Sequence, residues 1–192
     1  MVQRLGSGQV PPDEHIRIEP LGQQHDRAVF VCSKPNLTHY FTGAPAATRT
    51  LDQDLKYGMA RPFVMVDKRN EEVIGYFTLC NQSIPKDSLP KKIAAKLGYR
   101  DIPTMLLGRM AVSEKFAGQG LGTDLLLAAL LKAYKLTDGG KGCYAVVLDA
   151  GEESLVDWYS KRGFTLAATK QQPRRMVLPM LKIMDEIARH PN

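Results

Sequence analysis

The chain has 192 residues, 44% of them hydrophobic and 24% charged, and carries a formal net charge of +6 with a pI near 9.2. That length and balance suit one domain with a sizeable core and exclude a disordered polymer. No apolar run reaches the roughly 18 residues that cross a bilayer, the first residues lack the apolar centre of a secretion signal, and Cys32, Cys80 and Cys143 form no CxxC pair. No membrane association, disulfide framework or metal site is therefore expected, and the reading is of a cytoplasmic protein. The basic excess suits a phosphate-bearing partner as well as it suits a merely basic surface.

In chain order, residues 1–14 read as a flexible lead. His15–Leu21 alternates apolar and polar residues as a half-buried strand does. Residues 22–43 read as one or two short helices broken at Ser33-Lys34-Pro35, and Thr50–Met59 as a third. Phe63–Val66 and Val73–Cys80 flank the polar turn Asp67-Lys68-Arg69-Asn70 as a β-hairpin. Leu89–Pro103 offers a short basic helix stopped by Gly98, leading into a strand over Ile102–Val112. The spacing predicts a helix from Gly120 to about Leu136, ended by Gly139-Gly140, then a buried strand over Cys143–Ala150. A helix over Glu152–Arg162 takes Gly163 as its C-terminal cap. FTLAAT and RRMVLPM close an antiparallel pair, and LKIMDEIARH makes a tail helix. The order predicts a mixed α/β sheet, with one domain over residues 15–180 and a helical tail over 181–192.

The run MAVSEKFAGQGLGTDLL places Gly118, Gly120 and Gly122 where a strand turns into a helix. A helix start carries backbone N–H groups without intrahelical partners and the positive end of the dipole, and glycine lets an anion approach closely. The chemistry is that of a phosphate cradle. It is no Walker loop, and Thr123 stands where the third glycine of a dinucleotide fingerprint belongs. A tight turn that binds nothing is the alternative.

These residues resemble the acetyl-coenzyme A motif of the GNAT acetyltransferase superfamily, a strand end followed by [RQ]-x-x-G-x-[GA] at a helix start. Met110, Ala111 and Val112 match the strand end, and Gly120, Leu121 and Gly122 match the turn. Ala117 departs from the family's Arg or Gln. The resemblance implies a twisted, mostly antiparallel sheet of six to seven strands with helices on both faces. It implies acetyl-CoA held by the backbone of Ala117, Gly118, Gln119, Gly120, Leu121, Gly122 and Thr123, with Lys115 adding charge nearby. Downstream, SLVDWYSKRGF resembles the family's A-x-x-F-Y-x-x-x-G-F, with Leu155 for the usual Ala. It implies Tyr159 as the acid that protonates the departing thiolate, the chemistry an amine's attack on a thioester calls for. An aromatic that merely packs its helix on the sheet is the other reading of Tyr159. The same likeness pairs the pantetheine arm with Met110–Val112, where a backbone N–H steadies the carbonyl oxygen. No general base stands out: Glu114, Glu152 and Glu153 read as surface groups, and His15, His25, His39 and His190 are scattered.

More of the chain resembles one branch, the tRNA-acetylating toxins of bacterial toxin–antitoxin pairs. His25, Asp26, Phe30, Cys32, Leu37 and Phe41 fit that branch's early segment, and SLPKKIAAKLGYRDIPTMLLGRMAV fits its insert. The segment between Thr48 and Asp67 is longer or shifted. The branch implies an aminoacyl-tRNA α-amine as acceptor, a homodimer, and a small antitoxin protein as partner. Lys91, Lys92 and Lys96, with Arg109 inside the strand, are the basic residues placed to meet the substrate. Arg109 reads equally as the partner of a buried carboxylate. The tail helix either joins a partner interface or packs on its own domain. A small-molecule or protein amine remains an alternative acceptor, as does an inactive module that binds coenzyme A or nucleic acid.

Overall fold

The computed structural model describes residues 13–44, 48–168 and 173–189, so almost all of the expected flexible lead, and His190, lie outside the described residues. Seven strands form one sheet: β1 (Ile16–Pro20), β2 (Arg61–Asp67), β3 (Glu72–Pro85), β4 (Asp101–Val112), β5 (Ala145–Ala150), β6 (Thr165–Leu166) and β7 (Arg174–Pro179). Their spatial order is β1-β2-β3-β4-β5-β7-β6. The ladders β1–β2, β2–β3, β5–β7 and β6–β7 are antiparallel, and β4–β5 is parallel. Lys86 N–H to Arg100 O and Ser113 N–H to Ile74 O, both 2.8 Å, tie the two ends of β3 and β4 in antiparallel sense. A parallel neighbour needs a crossover helix, which α4 (Leu121–Leu136) provides between β4 and β5. The mixed, mostly antiparallel sheet is the one the sequence led us to expect.

Two compact units divide the chain without following its order. The first takes the described residues to Cys80 together with Arg109–Ala129; the second takes Asn81–Gly108 and the chain from Leu130 onward.

In the first unit an aromatic stack fixes α1 (Pro35–Thr42) against the hairpin. Phe41 lies on Tyr76 with ring centroids 4.1 Å apart and planes at 8°, and Phe30 meets both edge-on. The Tyr76 hydroxyl donates to Leu37 O at 2.8 Å, so the only polar atom of this buried ring is satisfied. Each large apolar side chain so buried contributes about 1.5–3 kcal/mol. α2 (Leu51–Lys56) starts on a reciprocal capping box, in which Thr50 Oγ1 accepts from Gln53 N–H and Gln53 Oε1 accepts from Thr50 N–H.

Residues 22–34 form no helix, which corrects the sequence expectation for that stretch. Gly22 N–H donates to His25 Nδ1, Ala28 N–H to Asp26 Oδ1, and Cys32 N–H to Thr38 Oγ1, each within 2.9–3.0 Å. Side-chain acceptors take the N–H groups that a helix would have paired internally.

In the second unit α3 (Lys91–Ala94) is a single turn, shorter than the basic helix expected to run to Gly98. Ile93, Ala94 and Leu97 pack on a core that includes Ile84, Ile102 and Val147. α6 (Ile183–Arg189) buries Ile183 and Glu186 while Leu181 just ahead of it stays 88% exposed, so the inner face of the tail packs on its own unit.

Candidate active site

The glycine turn belongs to the first unit. β4 ends at Val112, a short 3-10 turn covers Glu114–Phe116, and Ala117 leads into the glycines. Ser113 N–H bonds to Ile74 O, and Glu114 N–H to Val31 O at 2.9 Å, which fixes the entry to the turn. Gly118 and Gly120 have φ of 75° and 84°, left-handed values that side chains with a Cβ adopt at a cost. Thr123 N–H donates to Gly120 O at 2.9 Å and closes the first turn of α4. Leu121, Leu125 and Leu126 then anchor that helix in the core, each at most 1% exposed.

Five consecutive N–H groups are left over. Among the described residues, no backbone carbonyl accepts from Gly118, Gln119, Gly120, Leu121 or Gly122. A Cβ at Gly118 or Gly120 would meet nothing within 4 Å, so the space over the turn is open. The buried Oε1 of Gln119 accepts no hydrogen bond either. Unpaired donors, open space and a helix's positive end together fit a pyrophosphate, and the orphaned carboxamide oxygen fits a donor group carried beside it.

Ala117 is exposed and offers no side-chain donor. Lys115 does not replace the missing charge freely, because its Nζ holds both Glu72 oxygens at 2.7 Å and sits 5.3 Å from the Phe116 ring. Ala111 is buried and Met110 and Val112 are half-buried. The ladder with β5 covers only Thr104–Leu106, so residues 107–112 take no part in it. An incoming extended arm needs such a strand end.

Tyr159 belongs to the second unit, on α5 (Glu153–Ser160). Its ring is 9% exposed and meets Trp158 and Phe164 edge-on at 4.9 and 5.6 Å. Burial pushes its pKa up to about 12, only partly offset by the Arg162 guanidinium. The phenol is therefore protonated throughout the neutral range, and its hydroxyl makes no hydrogen bond among the described residues. Gly163, with φ of 82°, ends the segment, and a Cβ there would come within 2.8 Å of Glu186 Oε2 on α6. The tail helix thus closes over the turn that follows Tyr159. Arg162 stacks on Trp158 at 3.7 Å and donates to its carbonyl oxygen at 2.9 Å, holding the same turn from its other side.

The basic residues separate. Lys91, Lys92 and Lys96 lie exposed on and after α3 in the second unit. Arg109, in the first, is half-buried with its guanidinium 5.1 Å from the Tyr40 ring. Tyr40 donates to Asp54 Oδ2 at 2.7 Å, and Arg49 Nε donates to Asp54 Oδ1 at 2.7 Å. Burial raises the Tyr40 pKa strongly, with the Asp54 bond adding to it. Sequence reasoning missed this buried carboxylate group. The signal available was Tyr40 itself, an aromatic whose hydroxyl needs a partner once its ring is buried.

Glu114, Glu152 and Glu153 are exposed, and none is set apart as a general base. Glu19, His25 and Glu71 come close enough to hold a cation, but they are already engaged. His25 Nδ1 accepts from Gly22, leaving Nε2 to donate to Glu19 at 2.7 Å, while Arg17 binds both carboxylates. His25 is a satisfied core histidine.

The family described as acetyltransferase (GNAT) domain matches residues 60–166, from the start of β2 to the end of β6. A probable toxin TacT of Sinorhizobium fredii is 29% identical over 175 residues, covering 86% of this chain and 92% of that protein. A tRNA-acetylating toxin of Mycobacterium tuberculosis is 26% identical over 155 residues, covering 81% of this chain and 86% of its own length. Among solved structures, AtaT complexed with acetyl-methionyl-tRNAfMet has a TM-score of 0.77 at 24% identity, covering 88% of this chain and 97% of that one.

Proposed function

The chain belongs to the GNAT acetyltransferase family, and we propose that it transfers the acetyl group of acetyl-coenzyme A to the α-amine of an aminoacyl-tRNA. The observation that carries the reading is the run of five unpaired N–H groups from Gly118 to Gly122 under open space. Bound there, the donor supplies an activated thioester. Gly118–Gly122 bind its pyrophosphate, and the edge of β4 at Met110–Val112 orients its arm and offers an N–H to the carbonyl oxygen. The Tyr159 hydroxyl would supply the proton that the departing thiolate needs as the C–S bond breaks. The neutral amine would attack the thioester carbonyl and form the amide, and its surplus proton would leave to water, from which the Tyr159 phenolate regains its own.

The aminoacyl-tRNA acceptor rests on the two relatives and on the exposed lysines of the second unit. The test is acetylation of purified aminoacyl-tRNA across a salt series. Formation of N-acetyl-aminoacyl-tRNA with affinity falling steeply as salt rises supports it. Efficient turnover of a small amine beside untouched charged tRNA overturns it. Cytoplasmic placement follows from that substrate and from three cysteines that are all free thiols. A small antitoxin and a second copy of the chain are the protein partners the reading brings with it.

Ala117 favours a second reading, a module that binds coenzyme A or nucleic acid without turnover. Titration of acetyl-CoA together with a turnover assay separates the two, since the module binds and does not react.

A further inference from the structure

The segment between β3 and β4 gathers charge that the glycine turn does not use. From Lys86 to Asp101 it holds five basic residues, Lys86, Lys91, Lys92, Lys96 and Arg100, against Asp87 and Asp101. That excess is half of the formal +6 of the whole chain. Lys91, Lys92, Lys96 and Arg100 are exposed, and none of their side chains forms an ion pair among the described residues. In the middle of this charge stands Tyr99, 72% exposed, its ring touching no other aromatic or cation and its hydroxyl unbonded among the described residues.

The segment is nevertheless held. Ile93, Ala94 and Leu97 turn into the core, and Arg100 O accepts from Lys86 N–H at 2.8 Å, one residue beyond Tyr99. The apolar side chains are spent on packing, so the ring is presented to solvent from a fixed backbone with cations on both sides in sequence. A bare aromatic face beside unpaired cations is what a single-stranded nucleic acid recognises, through base stacking and phosphate contact.

We propose that Tyr99 is a stacking platform for an unpaired base of an RNA ligand, with Lys91, Lys92, Lys96 and Arg100 contacting the flanking phosphates. The proposal rests on the aminoacyl-tRNA reading for its biological ligand, and its test reads RNA binding separately. The full-length chain is titrated by fluorescence anisotropy with a short labelled single-stranded RNA, and with a duplex of the same length, at several salt concentrations. Single-stranded RNA should bind more tightly than duplex. Tyr99→Ala should weaken it on the order of ten-fold, and Tyr99→Trp should restore it. Tyr99→Ala should leave the salt slope as it was, whereas each Lys→Gln change should flatten it by about 0.7. In the acetylation assay the loss at Tyr99→Ala should appear in KM for charged tRNA rather than in kcat.

Unchanged affinity in Tyr99→Ala, or failure of Trp to restore it, overturns the proposal. Equal binding of duplex and single strand also overturns it, leaving the patch as a phosphate-only or acidic-protein surface. If no aminoacyl-tRNA is acetylated, the functional reading falls while the anisotropy result still decides the role of Tyr99.

Discussion

Gly120→Ala separates the cradle from an ordinary tight turn. With φ at 84°, an added Cβ costs about 1–2 kcal/mol of backbone strain. It costs nothing in packing, because the Cβ meets no atom within 4 Å. For a chain of this length, thermal unfolding should fall by about 2–4 °C per kcal/mol. Gly58→Ala is the matched control, with φ of 65° and the same empty surroundings, but at the end of α2. Both variants should lose similar stability. Only Gly120→Ala should weaken acetyl-CoA, since its methyl group fills the space over five unpaired donors. Interference with two or three of those hydrogen bonds, at about 0.5–1.5 kcal/mol each, predicts a Kd rise of about five-fold or more. Calorimetric titration of both variants, with melting curves alongside, gives the answer. Equal Kd values for Gly120→Ala and Gly58→Ala would refute the cradle.

Tyr159→Phe should lower kcat by about 10²–10⁴ while acetyl-CoA still binds. Because burial raises the phenol to about 12, its active protonated form persists up to that pH, so kcat/KM should climb from pH 6 to 10 as the amine deprotonates. A falling limb below pH 9 that vanishes in the variant would show that the acid was misjudged. Ala117→Arg restores the charge the family usually places there, and should tighten acetyl-CoA by several-fold in low salt and less in high salt; no change on titration would mean that the backbone alone saturates the site. Hydrogen bonds from Arg69 hold Asp67 below its usual 3.8, and bonds from Arg17 hold Glu19 below its usual 4.5. Each stabilises the fold in its charged form, so that contribution is complete above those values and fades as pH drops through them. Urea midpoints should therefore fall between pH 5 and 3, and Asp67→Asn should flatten the decline.

Where side chains follow a simple period, the sequence was readable. β2 and β3 stood out by their apolar runs about a polar turn, and α4 by its helical spacing after the glycines. Residues 22–34 were not, because their fate rests on single side-chain acceptors, His25 for Gly22, Asp26 for Ala28 and Thr38 for Cys32, and composition does not encode such pairings. The glycine turn was legible because positive φ demands glycine and leaves a mark in the sequence. The Tyr40–Asp54–Arg49 group was not, since its members lie 14 and 5 residues from Asp54 and meet only after α1 and α2 are in place. His25, Phe30 and Phe41, which carry the resemblance to the toxin segment, all serve packing: His25 through the Gly22 and Glu19 bonds, the two rings through the stack on Tyr76.

The chain leaves the first unit at Cys80, returns at Arg109 and departs for good after Ala129. A ribosome thus delivers residues 81–108 of the second unit before it supplies the glycine turn that the first unit needs. Copies that stall before Gly118 lack the glycine turn altogether. Those that stall between Ala129 and Tyr159 have the turn but no phenol. Nor does any single cut release either unit whole. If the proposed chemistry is directed at the machinery of translation, the ribosome making this protein faces no activity until it has passed Tyr159.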